Sequence, residues 1–365
     1  MVPSGTVETE QETGIPSRSY RRYGRDASVG SCDVYRLPAG GATVSGQFPI
    51  IHHLALVPRI AFLGPEGTFT EEALLSEPDL AAEELVPRPA IPDVIESVER
   101  GEADLGVVPI ENSIEGSITV TLDALAFESE LLIQREVVRP VSLNLIARPG
   151  IRPEDVRTVV SLPYASAQCR DWLRRTLPGA TLEAANSTAG AVERVANSRA
   201  AGVAAIGTHL AAELYRLAVI AEEIEDHPEN ATRFVVLGRG IPARTGHDKT
   251  SVVCFQREDR PGSLISILQE FAARAINLTR LESRPTKAGL GDYCFVIDCE
   301  GHVADELVAD ALRNLHAKQG RMKFLGSYPA AASDDAGRAR RHAAGRAWRD
   351  AGRWIDELRG QIHER

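Results

Sequence analysis

The chain has 365 residues, 43% of them hydrophobic, and its 51 acidic against 41 basic side chains leave a formal charge of −10. An acidic chain without a basic stripe is a poor nucleic-acid binder, and no apolar run approaches the roughly 20 residues that a membrane helix needs. With no signal-peptide core at its start, the chain reads as a cytoplasmic protein of two or three domains. Cys32, Cys169, Cys254, Cys294 and Cys299 are scattered and form no CxxC pair, so neither a disulfide framework nor a zinc site is expected.

Residues 1–57 are rich in Gly, Ser, Thr and Arg without lasting periodicity, the composition of a mostly disordered extension. From Arg59 the pattern changes. Ile60 to Leu63 reads as an apolar strand ended by a Gly turn, with Thr68 or Thr70 placed to cap the next helix, a corner suited to anions. A helix at 91–100 leads to a strand at 105–110, which runs into the polar cluster Glu111, Asn112, Ser113, Glu115. Strands follow at 131–147, 156–161, 180–185, 203–206 and 217–221, with helices at 165–176, 188–198 and 208–215. That alternation predicts an α/β fold with a largely parallel sheet. The segment 131–147 crosses between two lobes, 58–134 plus 221–240 and 135–220, and the cleft between them is the natural small-molecule site. After a linker at 239–248 the order strand, helix, strand, strand, helix, strand over 249–329 is a ferredoxin-like βαββαβ unit. The last stretch, 330–365, places Trp348, Trp354, Ile355, Leu358 and Ile362 near helical spacing, as in a helix that packs on its own subunit or on a partner.

The run Asn230, Ala231, Thr232, Arg233, Phe234 sets a hydroxyl and a guanidinium side by side at a strand entrance, where a small anion would be both gripped and protonated. Strand alternation puts Thr232 and Phe234 on one face and Arg233 on the other, unless the entrance is twisted or bulged. Asn112 and Ser113 equally suit a helix cap, Gln168 a surface helix, and Gly64 and Gly67 plain turn geometry. Glu111 would be an alternative acid if burial raised its pKa.

These residues fall into five blocks: RIAFLGPEGTFTEEA at 59–73, GVVPIENSIEGS at 106–117, SLPYASAQC at 161–169, ENATRFVVLG at 229–238 and INLTRLESRP at 276–285. In that order they resemble the prephenate dehydratases that carry a C-terminal ACT regulatory domain. The resemblance implies two α/β lobes like those of periplasmic solute-binding proteins, followed by the βαββαβ ACT domain. It implies conversion of prephenate to phenylpyruvate, water and CO2, with no cofactor or metal. Aromatisation supplies the thermodynamic pull, so the protein must orient a dianion and help hydroxide leave. By resemblance Thr232 is the proton donor to the leaving hydroxyl and Arg233 binds a substrate carboxylate. Asn112, Ser113, Ser161 and Gln168 fix the ring, and Thr68 and Phe234 complete the site. The third block departs from the common family pattern, with Leu162 and Tyr164 where many members have His and Gln.

The ACT resemblance implies a module that pairs with its copy, in a homo-dimer or tetramer, and binds L-phenylalanine. Pro261, Gly262, Ser263 and Leu264 form its strand-to-helix turn, and Glu282, Ser283, Arg284 and Pro285 match a block associated with the phenylalanine response. The rival readings are an arogenate dehydratase, which takes the amino analogue, and a non-catalytic sensor of aromatic precursors.

Overall fold

A computed structural model describes residues 58–256, 261–287, 289, 292–319, 321–331 and 335–362, with side chains of the last helix described from 343 onward. The extension 1–57, with Cys32, lies outside the described residues.

The first lobe runs β1 (Arg59–Leu63), α1 (Phe69–Leu75), α2 (Pro78–Ala81), β2 (Glu84–Arg88), α3 (Ile91–Glu99), β3 (Leu105–Asn112), β4 (Gly116–Ser117), α4 (Thr119–Asp123) and β5 (Leu132–Pro140). The second runs β6 (Asn144–Ala147), β7 (Thr158–Ser161), α5 (Pro163–Gln168), α6 (Arg170–Thr176), β8 (Thr181–Ala184), α7 (Thr188–Asn197), β9 (Val203–Gly207), α8 (His209–Leu214) and β10 (Ala218–Ala221). The chain then returns as β11 (Ala231–Gly238), which enters the first sheet between β3 and β5, in the order β2-β1-β3-β11-β5 with β4 on β3. The second sheet has the order β10-β6-β9-β7-β8.

The sheets are mixed rather than largely parallel. β1, β2 and β3 pair parallel, as do β7, β8 and β9, whereas β11 is antiparallel to both its neighbours and β6 to β9 and β10. The cause is the double crossing, because a strand that enters or leaves a lobe arrives against the run of its βα units. The segment expected as one crossing strand is two, β5 in the first sheet and β6 in the second, and the helix expected at 165–176 is broken at Cys169. The sulfur of Cys169 is fully buried in the second lobe's core, so apolar spacing continued through a break that it could not reveal.

The C-terminal unit is β12 (Asp248–Phe255), α9 (Ser263–Ala272), β13 (Leu278–Pro285), β14 (Tyr293–Glu300), α10 (Glu306–Gln319) and β15 (Met322–Pro329), with sheet order β13-β14-β12-β15. Alternation along its strands makes two apolar faces. Val252, Cys254, Ile297 and Cys299 meet the helices through Ile267, Phe271 and Leu315. Val253, Phe255, Val296 and Leu325 join Val108, Ile133, Val235 and Leu237 of the first lobe in one continuous core. Gly326 permits that approach: its φ is +144°, and a Cβ there would lie 2.6 Å from the carbonyl oxygen of Ile133. A last helix, α11 (Asp335–Arg359), packs against α10.

Candidate active site

The cleft between the lobes encloses about 1160 Å³ and draws walls from both. Its floor is the end of the central strand pair. Thr232 on β11 stands opposite Asn112 on β3, and a bulge between Arg233 and Phe234 lets Phe234 face Pro109, so that Pro109, Asn112, Thr232 and Phe234 all line the cleft.

A hydrogen-bond network holds the hydroxyl of Thr232. Asn112 Nδ2 donates to Thr232 Oγ1 at 3.0 Å and to the Asn230 Oδ1 at 2.9 Å, while Asn112 Oδ1 accepts the backbone amides of Ile114 and Glu115, each at 3.0 Å. Asn230, fully buried, donates to Gln168 Oε1 of the second lobe at 3.1 Å, and Gln168 Nε2 reaches Glu115 at 3.3 Å. The consequence is chemical. An amide N–H that occupies one lone pair of Oγ1 leaves the hydroxyl proton to point elsewhere, and the open side is the cleft.

The corner after β1 brings the two lobes together. Gly67 has φ +83°, and a Cβ there would lie 3.0 Å from that of Ala211 on α8. Its carbonyl accepts the Thr208 hydroxyl at 2.6 Å, and Glu72 accepts the amide of Leu210 at 3.2 Å. Burial raises the pKa of Glu72, opposed by that amide and by the charge of Arg139. Thr68 lines the cleft with its hydroxyl donated to the Leu63 carbonyl at 3.0 Å.

Thr232, Asn112, Gln168, Thr68 and Phe234 are therefore brought together, and three other candidates are not. Ser113 is exposed and does not line the cleft; its hydroxyl donates to Asn230 at 3.2 Å and accepts the Ala231 amide at 3.0 Å, so it positions the network. Ser161 is buried and donates to the Leu162 carbonyl at 2.9 Å. Arg233 is the main correction. Strand alternation turns it to the opposite face of the sheet, where it meets Glu136 at 2.7 Å, Asp298 at 2.7 Å and the Tyr328 hydroxyl at 2.8 Å. Its guanidinium is already saturated by carboxylates and does not line the cleft. Glu111, the alternative acid, points the same way, 3.5 Å from Arg233 and 3.8 Å from Arg280.

Sequence reasoning missed other polar groups that line the cleft. Among the described residues that line the cleft, Arg88, at the end of β2, is the one arginine or lysine, oriented by Ser97 at 2.6 Å. Opposite it, Asn186, Ser187 and Thr188 line the wall at the start of α7, where Ser187 caps the Gly190 amide at 2.9 Å and the helix end favours an anion. Leu162 and Tyr164, the departures from the common family pattern, both line the second lobe's wall, and Tyr164 is 64% exposed at the mouth. Replacing Arg88 by glutamine is expected to raise KM about tenfold or more with kcat little changed, because a charged hydrogen bond contributes about 1.5–3 kcal/mol to ground state and transition state alike. Steady-state kinetics would show the split.

The ACT unit is wired to the rim of this cleft. On β13, Glu282 and Arg284 turn inward and Ser283 and Pro285 outward. Glu282 accepts the hydroxyl of Ser117, a cleft residue, and the Arg280 guanidinium at 2.8 Å. Arg284 reaches Asp123 of α4 at 2.6 Å. Among the four residues of that block, the two inward ones thus meet the catalytic lobe. Pro261 and Gly262 are exposed at the start of α9, Gly262 with φ +89°, and Leu264 packs partly into the helix-side core. Among the described residues no cluster of His, Cys, Asp and Glu could hold a metal ion, and no helix is long and apolar enough to cross a membrane.

Known proteins resemble this chain in sequence and in fold. A family model described as prephenate dehydratase matches residues 60–241, and one described as ACT domain matches 250–317. The chain is 46% identical to the prephenate dehydratase of Mycobacterium sp. (strain JLS) over 285 residues, 75% of this chain and 89% of that protein. Among solved structures it is similar to the prephenate dehydratase of Arthrobacter aurescens in complex with L-Phe, with TM-score 0.75 and 42% identity over 82% of this chain and 99% of that one. It also resembles GqqA, described as a quorum quenching acylase, with TM-score 0.68 and 29% identity over 74% of this chain and 98% of that one. With its catalytic blocks, its two-lobed cleft and its C-terminal βαββαβ unit, the chain belongs to the prephenate dehydratase family that carries an ACT domain.

Proposed function

We propose that the cleft converts prephenate to phenylpyruvate, with Thr232 as the proton donor. The observation that carries this is the contact of Asn112 Nδ2 with Thr232 Oγ1 at 3.0 Å, which leaves the threonine proton free for the substrate's C4 hydroxyl. As the C4–O bond breaks, the ring carboxylate leaves as CO2. The electrons of its C–C bond complete the aromatic ring, and the departing hydroxide takes the threonine proton to become water. A threonine is a weak acid, so the transfer is concerted with C–O cleavage, and its proton returns from solvent. Arg88 and the start of α7 face the two carboxylates, and Phe234 and Pro109 give the ring an apolar floor. The fold alone does not decide the reaction, as the acylase of similar fold shows, so the reading rests on the cleft. Prephenate and arogenate differ in the side chain that meets this wall. Offered both, the enzyme is expected to accumulate phenylpyruvate from prephenate faster than phenylalanine from arogenate, and the reverse ratio would reassign the substrate.

The Arthrobacter relative holds L-Phe, and the same effector is proposed here, bound at the turn from Pro261 to Leu264 in an ACT unit paired with a second copy. Leu281, on edge strand β13, and Ile265, on α9, are exposed and suit such pairing. Phenylalanine inhibits only by binding one state of the β13-to-Ser117 contact more tightly than another. Millimolar L-phenylalanine is expected to lower the wild-type rate, and Glu282→Ala to weaken that response without removing the basal rate. Equal rates with and without phenylalanine would remove the effector assignment.

A further inference from the structure

Asn230 is fully buried and does not line the cleft, yet it stands where both crossings between the lobes pass. It immediately precedes β11, and its carbonyl accepts the amide of Val141, just beyond β5, at 2.8 Å. Its side chain joins three others. Oδ1 accepts from Asn112 Nδ2 at 2.9 Å and from the Ser113 hydroxyl at 3.2 Å, while Nδ2 donates to Gln168 Oε1 at 3.1 Å. A buried amide so placed would hold the crossings together whatever the chemistry, because a buried polar group left unpaired is costly. The direction of its hydrogen bonds gives it a second role.

A backbone amide can only donate, so the amides of Ile114 and Glu115 fix which end of the Asn112 side chain is Oδ1 and leave its Nδ2 toward Asn230 and Thr232. Asn230 must then present Oδ1 to Asn112. Its own Nδ2 meets Gln168 Oε1, and Gln168 Nε2 ends the chain on the Glu115 carboxylate at 3.3 Å. A flipped Asn230 would set N–H against N–H at Asn112 and oxygen against oxygen at Gln168, so the second lobe holds it in this sense. The two hydrogens of Asn112 Nδ2 lie fixed in the amide plane. Once Asn230 takes one, the other is aimed at Thr232 Oγ1 at 3.0 Å, with the Ala231 carbonyl farther off at 3.4 Å. We propose that Asn230 is a positioning residue for the dehydration: by orienting Asn112 it keeps an N–H on the Thr232 oxygen and the threonine proton on the side of the leaving hydroxyl. This role rests on Thr232 as the proton donor. Asn230 itself touches no substrate and acts through Asn112.

The test is a cycle of Asn230→Ala and Thr232→Ala, singly and together, in the full chain, read as steady-state phenylpyruvate formation with enough enzyme to measure the slowest variant. Asn230→Ala is expected to lower kcat about 10- to 100-fold with KM little changed, because Asn112 loses the partner that fixes its plane. In the Thr232→Ala background the same substitution should change the residual rate by less than about twofold, since no hydroxyl is left to orient. A residue that only held the crossings together would lower both rates by the same factor and raise KM as the walls shift. Equal losses in the two backgrounds, a loss carried by KM, or a wild-type kcat in Asn230→Ala would each overturn the role. Rates are read below the melting temperature of every variant, and Asn230→Ser takes the place of Asn230→Ala if the latter does not fold. Thr232→Ala as fast as the wild type would instead remove the proton donor, and the role of Asn230 with it.

Discussion

Thr232→Ala is expected to lower kcat for phenylpyruvate formation by about 10²- to 10⁴-fold, the usual contribution of a placed general acid, with KM changed far less. In the proposed role the hydroxyl touches the substrate only at the oxygen that leaves, where negative charge develops as the bond breaks, so its effect falls on the transition state. The fold should survive. Thr232 is half-buried at a strand end, and its removal leaves Asn112 bonded to Asn230 at 2.9 Å and to the backbone amides of Ile114 and Glu115. Thr232→Ser keeps the hydroxyl and should recover much of the rate. Steady-state kinetics on both variants, with thermal melts as the control, separate loss of the acid from loss of structure.

The second large effect is on stability. Arg233→Met is expected to cost about 3–5 kcal/mol, because it leaves buried carboxylates of two domains without their shared cation. Glu136 on β5 keeps Lys249 at 2.8 Å, but Asp298 on β14, 3% exposed, loses the guanidinium bonded to it and keeps the Ser251 hydroxyl at 2.6 Å and the more distant charge of Arg280. Burial acts to lower the pKa of Arg233, yet Tyr328, Asp298 and Glu136 around it raise it well above the ordinary value, so it is charged at any working pH. Burial likewise acts to raise Asp298, and the Arg233 charge and the Ser251 hydrogen bond more than reverse it. The sign of the pH dependence follows. A carboxylate whose folded pKa is depressed contributes stability that is present above its unfolded value, about 3.9, and is lost as pH falls through the folded value. Wild-type stability should therefore drop below about pH 4 more steeply than that of Asp298→Asn. Arg233→Lys should fall between wild type and methionine, since it keeps the charge without the fork that spans two carboxylates. Urea unfolding at neutral and acid pH measures all of these.

The one-residue step from Thr232 to Arg233 shows what the sequence could and could not tell. Strand alternation alone puts the two side chains on opposite faces, and the structure obeys it: the hydroxyl faces the cleft and the guanidinium faces the ACT sheet. The family resemblance drew Arg233 into the substrate site; the period-two rule was the better guide. Asn112, Gln168 and Thr68 were legible because each lies at an element end within a recognisable block: Asn112 closes β3, Gln168 closes α5 and Thr68 precedes α1. Arg88, Asn186 and Thr188 were not, because no local pattern distinguishes them and only the closing of two lobes brings β2 opposite α7. The buried cluster of Glu136, Arg233, Lys249 and Asp298 was hidden for the same reason, since each residue reads alone as a strand-edge charge. The apolar spacing of α11 was legible, whereas its exposure beyond Gly345 was not.

The central claim is that this cleft carries out the chemistry as well as binding the ring. The most direct measurement is phenylpyruvate formation from prephenate by the purified full chain, followed by absorbance in alkali beside the Thr232→Ala variant. The account predicts steady turnover by the wild type with one CO2 per phenylpyruvate, and near silence from the variant. Prephenate that binds but is not consumed, or a variant as fast as the wild type, would contradict it.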